Sequence, residues 1–243
     1  MYSLLKKEIS AFLGTLIGYI VVSVFLAANG LLLWVLPVDS NILNGGYAGI
    51  EGLFVMAPWL FLFLIPAISM RSIAEERKTG TIELLLTRPI NDLQIVLAKY
   101  LACIILVIIA LIPTLVYYVS VYNLGNPHGI IDNGRTWGSY LGLIFLAGGF
   151  SSIGIFASSI SNNQVTSFVI AVTISYICYA GLAYTGGNLL TGTLGSILQS
   201  LSISTHYSSM SRGVIDTRDV LYFISFSSFF ILLSKTVLEG RKN

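Results

Sequence analysis

Six runs of about twenty apolar residues constrain this chain more than any other feature. A helix rises 1.5 Å per residue, so about twenty apolar residues cover the roughly 30 Å of hydrocarbon in a bilayer. Runs of that order fall at 17–36, 52–70, 95–121, 137–160, 165–184 and 220–238, and none contains Asp, Glu or Arg. Inside lipid the backbone has no water to bond, so such runs must be helical. The expected fold class is an all-α integral membrane protein with six transmembrane helices. Composition agrees, with 55% of residues apolar and 10% charged, against about 25% charged in soluble domains.

Orientation follows from the placement of Lys and Arg. With the N-terminus in the cytoplasm, that side collects Lys6, Lys7, Arg71, Arg77, Lys78, Arg88, Lys99, Lys235, Arg241 and Lys242, leaving Arg135, Arg212 and Arg218 outside. Cytoplasmic loops carry the excess of positive residues, so both termini are expected inside. Lys99 and Lys235 fall near expected span ends, where a long stem reaches the headgroups. Lys6 and Lys7 ahead of an apolar run that contains Ala27 and Ala28 resemble a secretion signal. Leu26 occupies a position that should be small, however, and the run continues through GLLLWVL. An uncleaved first span is expected.

One membrane domain, 1–243, accounts for the chain. Within 1–16, Leu4, Leu5, Ile9, Phe12, Leu13 and Leu16 lie near one helical face with Lys6, Lys7 and Ser10 elsewhere, the pattern of an amphipathic helix lying in the interface. Ser161 to Gln164 leave room only for a tight turn between the fourth and fifth spans. In the outer segment 185–219, Leu190, Leu194, Ile197, Leu198 and Leu201 recur at helical spacing. That segment is too short and too rich in Gly and Ser to cross and return. Re-entrant or interfacial helices are expected there, weighed against an ordinary surface loop.

Seven of the chain's charges crowd into residues 71–90: Arg71, Glu75, Glu76, Arg77, Lys78, Glu83 and Arg88. Ser72 and Glu75 have the S-x-x-E spacing of a capping box, predicting a helix over 73–79. Gly80 is a left-handed terminator. Thr81 then caps a second short helix over 82–87, which Pro89 stops. Asn91 and Gln94 resemble a capped start for the third span. Leu84, Leu85 and Leu86 cover most of the second helix, so one side can pack on the membrane domain while Glu83, Thr87 and Arg88 edge a surface for a partner. The alternative is a solvated charged loop that only sets topology.

The string E-R-x-x-G-T-x-E-x-L-L-x-x-P, set between the second and third spans, resembles the cytoplasmic signature of type-2 ABC export permeases. The N-terminal helix, six spans and long outer segment before the last span also match, so the resemblance covers nearly the whole chain. The strings at 16–37, 120–132 and 211–219 more closely resemble the gliding-motility-associated ABC permeases. The resemblance implies that 72–90 is a cytoplasmic coupling segment seated in a groove of an ABC ATPase subunit. On this chain the implied contact residues are Glu75, Glu76, Arg77, Thr79, Gly80, Thr81, Glu83, Thr87 and Arg88. It further implies a second permease chain, either a related gliding subunit or a second copy, in a bacterial inner membrane. ATP and Mg are expected at the ATPase, with no cofactor on this chain.

Residue chemistry is consistent with that division of labour. No G-x-x-x-x-G-K-[ST] phosphate loop occurs, so ATP binding is expected on another polypeptide. Cys103 and Cys178 sit in apolar spans and imply neither a disulfide nor a metal framework. His128 and His206 read as ordinary polar groups of the outer loops. Ser151 and Ser152, between Gly149 and Gly154, miss the G-x-S-x-G spacing. Gly138 with Gly142, and Gly154 with Ser158, read instead as close helix packing within the bundle or against a second subunit. Pro58, Pro66 and Pro113 favour kinks. No basic, aromatic-interleaved stretch suggests nucleic acid. An ion-coupled carrier would need ionisable groups at mid-bilayer, and none is centred in a span. A membrane scaffold without transport is the remaining alternative to an exporter subunit.

Overall fold

The computed structural model describes residues 1–44, 48–81, 91–126, 129, 131–189 and 192–240, and these contain helices and no strand. Helix α1 (Tyr2–Leu13) precedes α2 (Leu16–Gly30), which a wider turn carries on to Val35, the Leu36 N–H reaching the Leu31 carbonyl at 2.8 Å. Next come α3 (Glu51–Ser69), the short α4 (Ala74–Lys78) and α5 (Asp92–Leu111). A tight turn at Ile112–Thr114 leads into α6 (Leu115–Leu124), followed by α7 (Asn133–Ile160) and α8 (Gln164–Tyr176). Wide turns and α9 (Leu182–Tyr184) extend α8 to Leu189. The chain closes with α10 (Thr193–Ser200), α11 (Ile203–Met210) and α12 (Thr217–Glu239).

Six helical stretches are long and apolar enough to cross a membrane: Leu16–Val35, Glu51–Lys78, Asp92–Leu124, Asn133–Ile160, Gln164–Asn188 and Thr217–Glu239. Each overlaps an expected run with ends moved by four residues or fewer, except that the second runs eight residues past Met70 because it takes in α4. Pro113 breaks the third span locally, because proline removes an amide donor and crowds the preceding turn. Pro58 and Pro66 remain inside α3.

The fourth span is the axis of the bundle. Of an 18-residue apolar stretch within it 78% is buried, against 22% in the first and fifth spans and 28% in the sixth. Helices α3, α5, α8 and α12 all pack on α7, around Phe61, Ile65, Leu143, Leu146, Phe150 and Ile153. Small residues on α7 permit that approach. A Cβ added at Gly142 would sit 2.7 Å from the Met210 Cβ, and one at Gly138 would sit 2.7 Å from the Gly213 carbonyl oxygen. Gly154 meets the Ser69 side chain of α3. These contacts all lie within this one bundle.

Between the fifth and sixth spans lie two helices, α10 and α11. Tyr207 of α11 is buried and donates to the Phe54 carbonyl of α3 at 2.7 Å. Burial, helped by nearby Tyr179, pushes its pKa well above the usual tyrosine value, so the hydroxyl keeps the proton it donates. At the opposite end, α1 turns Leu4 and Leu5 onto Ile95 and Ala98 of α5, and Phe12 into the main core. The apolar stripe seen in the sequence is thus largely used on a protein neighbour. Leu16, counted with that stripe, starts α2 and is exposed.

Candidate functional site: the charged helix after the second span

The charged stretch enters the structure as α4, one residue shorter at each end than the expected 73–79. Gly80 ends it in the left-handed region with φ of 71°, as anticipated for a residue without a Cβ. Its start differs from the expected capping box. Ser72 is still in the turn leaving α3, its N–H bonded to the Ser69 carbonyl at 3.0 Å, so it lacks the extended geometry of a cap. Ile73 occupies the capping position, with no side-chain bond of its own. Ser158 of α7 supplies the acceptor: its Oγ takes the Ile73 and Ala74 N–H groups at 2.9 and 3.0 Å and donates to the Met70 carbonyl at 3.2 Å.

Lys99 is the second departure from expectation. Its side chain is 1% exposed, far from the headgroup-seeking posture inferred from its place near a span end. The third span begins at Asp92, three residues before the expected Ile95, which carries Lys99 farther into the helix. There its ammonium meets Glu8 of α1 at 2.9 Å and Glu76 of α4 at 2.8 Å, and donates to the Ser72 carbonyl at 2.5 Å. Two hydrogen-bond acceptors and the close opposite charge of Glu76 surround the ammonium, the kind of compensation a buried charge requires. Lys7 approaches the other Glu76 oxygen at 3.2 Å. One cation thus ties α1, α4 and α5 together. Lys235, by contrast, stays near its end and pairs with Glu239 one turn on at 3.3 Å.

Among the nine residues singled out for partner contact, Glu76 is buried in this cluster and Arg77 lies beside it on α4, half-buried. Glu75 is half-buried, while Thr79, Gly80 and Thr81 form an exposed tip. The tip is stitched: Thr79 Oγ1 donates to the Glu75 carbonyl at 2.9 Å and lies 2.9 Å from Thr81 Oγ1. Glu83, Thr87 and Arg88, with the expected helix over 82–87 and its Pro89 stop, fall outside the described residues. Asn91 does precede the third span in an extended conformation, but its side chain makes no capping bond.

Between α1, α4 and α5 lies a cleft of about 310 Å³. Its lining is charged at Lys7, Arg71 and Glu75 and apolar at Phe12, Ile68 and Leu106.

A second polar cluster sits at the other end, and sequence reading missed it by treating His206 as an ordinary loop residue. His206 Nδ1 lies 2.7 Å from Asp219 of α12 and Nε2 lies 2.9 Å from the Ser200 carbonyl. Its ring stacks on Tyr222 with centroids 3.8 Å apart. Ser, His and Asp occur together, yet Nε2 faces the serine's carbonyl and not its hydroxyl, which donates to Ile197 at 2.8 Å. A hydrolytic triad needs the hydroxyl at that nitrogen. The cluster therefore fastens α10, α11 and α12 together. Among the described residues no group of three or more His, Cys, Asp and Glu is placed to hold a metal ion.

Residues 41–238 match the sequence model of a family described as ABC-2 family transporter protein. No curated protein matches the chain.

Proposed function

We propose that this chain, which belongs to the ABC-2 transporter family, is the membrane-spanning permease subunit of an ATP-driven exporter, coupled to a separate ABC ATPase through residues 72–90. The observation that carries this reading is the seating of α4. Its first N–H groups are held from α7 by Ser158 and its Glu76 from α5 by Lys99. A push on the exposed tip at Thr79–Thr81 is therefore passed to three helices instead of being absorbed in a loop. ATP and Mg belong to the ATPase subunit. The chain contributes the path across the bilayer and the lever, with both termini on the cytoplasmic side of a bacterial inner membrane.

The weakly buried first and fifth spans support pairing with a second permease chain, related or identical. The closer likeness of 16–37, 120–132 and 211–219 to gliding-associated permeases supports service in gliding motility. Disrupting the gene should then abolish gliding, and unimpaired gliding would remove that assignment. The coupling reading is tested by Glu83→Arg. The variant should reach the membrane in normal amount but lose co-purification with the ATPase and the stimulation of its hydrolysis. Full co-purification and full export by this variant would overturn the coupling assignment.

A further inference from the structure

The cleft between α1, α4 and α5 holds unpaired charge of both signs. Arg71, at the end of the second span, lines it, yet its Nε is buried without a hydrogen-bond acceptor. Glu75, four residues on, lines the same cleft, and the Arg71 and Glu75 side chains have neither each other nor any other charged partner among the described residues. The Ser72 hydroxyl, buried on the same wall, also lacks a partner. Buried donors left unsatisfied are costly, commonly about 1–3 kcal/mol each, and few native sites leave several together. The lining also includes apolar side chains: Phe12 from α1, Ile68 from α3, and Ala102 and Leu106 from α5. Lys99, Glu8 and Glu76 also border the cleft, but their charges are already paired with one another. The charge left for a ligand is one guanidinium and one carboxylate, with the Lys7 ammonium at the rim.

We infer that this cleft binds a phospholipid with a primary-amine headgroup, of the phosphatidylethanolamine type. Its phosphate oxygens accept from the Arg71 guanidinium and the Ser72 hydroxyl, its ammonium donates to the Glu75 carboxylate, and the start of an acyl chain lies along Phe12, Ala102 and Leu106. Guanidinium groups suit phosphate because they present several donors in a fixed fork. A purely anionic headgroup would leave Glu75 facing like charge, and a choline headgroup offers no N–H to it. The volume of about 310 Å³ lies at the lower end of the usual range for small-ligand sites, sufficient for a headgroup and the first part of a tail. The site gives Glu75 a lipid partner in place of the ATPase. It does not depend on the coupling reading, because its test involves no ATPase.

The full chain, purified in a non-ionic detergent, would be titrated with short-chain phosphatidylethanolamine, phosphatidylcholine and phosphatidylglycerol and read by native mass spectrometry. Phosphatidylethanolamine should bind about tenfold more tightly than either of the others, the worth of one charge-assisted hydrogen bond. Glu75→Gln should abolish its advantage over phosphatidylcholine, and Arg71→Ala should weaken all three lipids about tenfold or more. Should Arg71→Ala fail to fold, the nearly isosteric Glu75→Gln still decides the matter. Free phosphoethanolamine supplies the control for source and should bind far more weakly than the lipid. Equal binding of the free ester, equal affinity for the three headgroups, or unchanged preference in Glu75→Gln would each overturn the proposal.

Discussion

Lys99 shows what a single misplaced charge would do at the residue scale. Removing it as Lys99→Met leaves Glu8 and Glu76 facing each other, largely buried, with only Lys7 at the rim; breaking one side of a buried ion pair commonly costs about 3–5 kcal/mol. We expect a lower unfolding midpoint in detergent, with most of the loss regained when Glu8→Gln and Glu76→Gln are added. A triple variant no more stable than Lys99→Met would show that the charges are not the cause. Ser158→Ala should cost about 1–2 kcal/mol, the worth of an N-cap, because the Ile73 and Ala74 N–H groups lose their acceptor. The sequence held a clue to Lys99: Ile95, Val96, Ala102, Cys103 and Leu106, its neighbours at helical spacing, are all apolar, and the structure buries every one. Ser158 left none. It acts on residues 84 and 85 positions away, and only the folded bundle brings them together.

At the scale of elements, the spans were legible and their junctions were not. Apolar length is dictated by bilayer thickness, so every span could be placed and all ends but that of the second fall within four residues. Junctions are decided by which neighbour supplies a hydrogen bond, as at α4, where a local capping motif lost to a residue from another helix. The α1 stripe was visible as a pattern, yet periodicity does not say whether a face meets lipid or protein, and here α5 takes it. Glycine spacing in α7 was visible too, while its partner segments, α11 and the turn at Gly213, were not. Gly142→Ala should cost about 1–3 kcal/mol, the usual penalty of overpacking, since its methyl would overlap Met210 of α11. An unfolding midpoint equal to that of the unmodified chain would contradict the packing described.

For the whole molecule, the four charged and polar ties to α4, from Lys7, Lys99, Glu8 by way of Lys99, and Ser158, converge on one end of the bundle. His206 with Asp219 and Tyr207 with Phe54 close the other. If the first and fifth spans meet a second permease chain, cysteines placed at Val24 or Val169, both exposed, should cross-link between copies or to a related subunit in native membranes. Cross-linking to neither would leave those faces to lipid alone. The turn joining α7 to α8 bears on this directly. Ser161 Oγ donates to the Asn163 carbonyl at 2.8 Å and accepts its N–H at 3.1 Å, and Asn163 caps α8 through the Val165 N–H at 2.9 Å. Two rods joined by so short and so fully hydrogen-bonded a corner are expected to tilt together. If a second permease chain does press on the outside of the fifth rod, its weight would bear on α4 as well, which rests against both rods and hangs from Ser158, so that neighbour could reset the proposed coupling element without ever touching it.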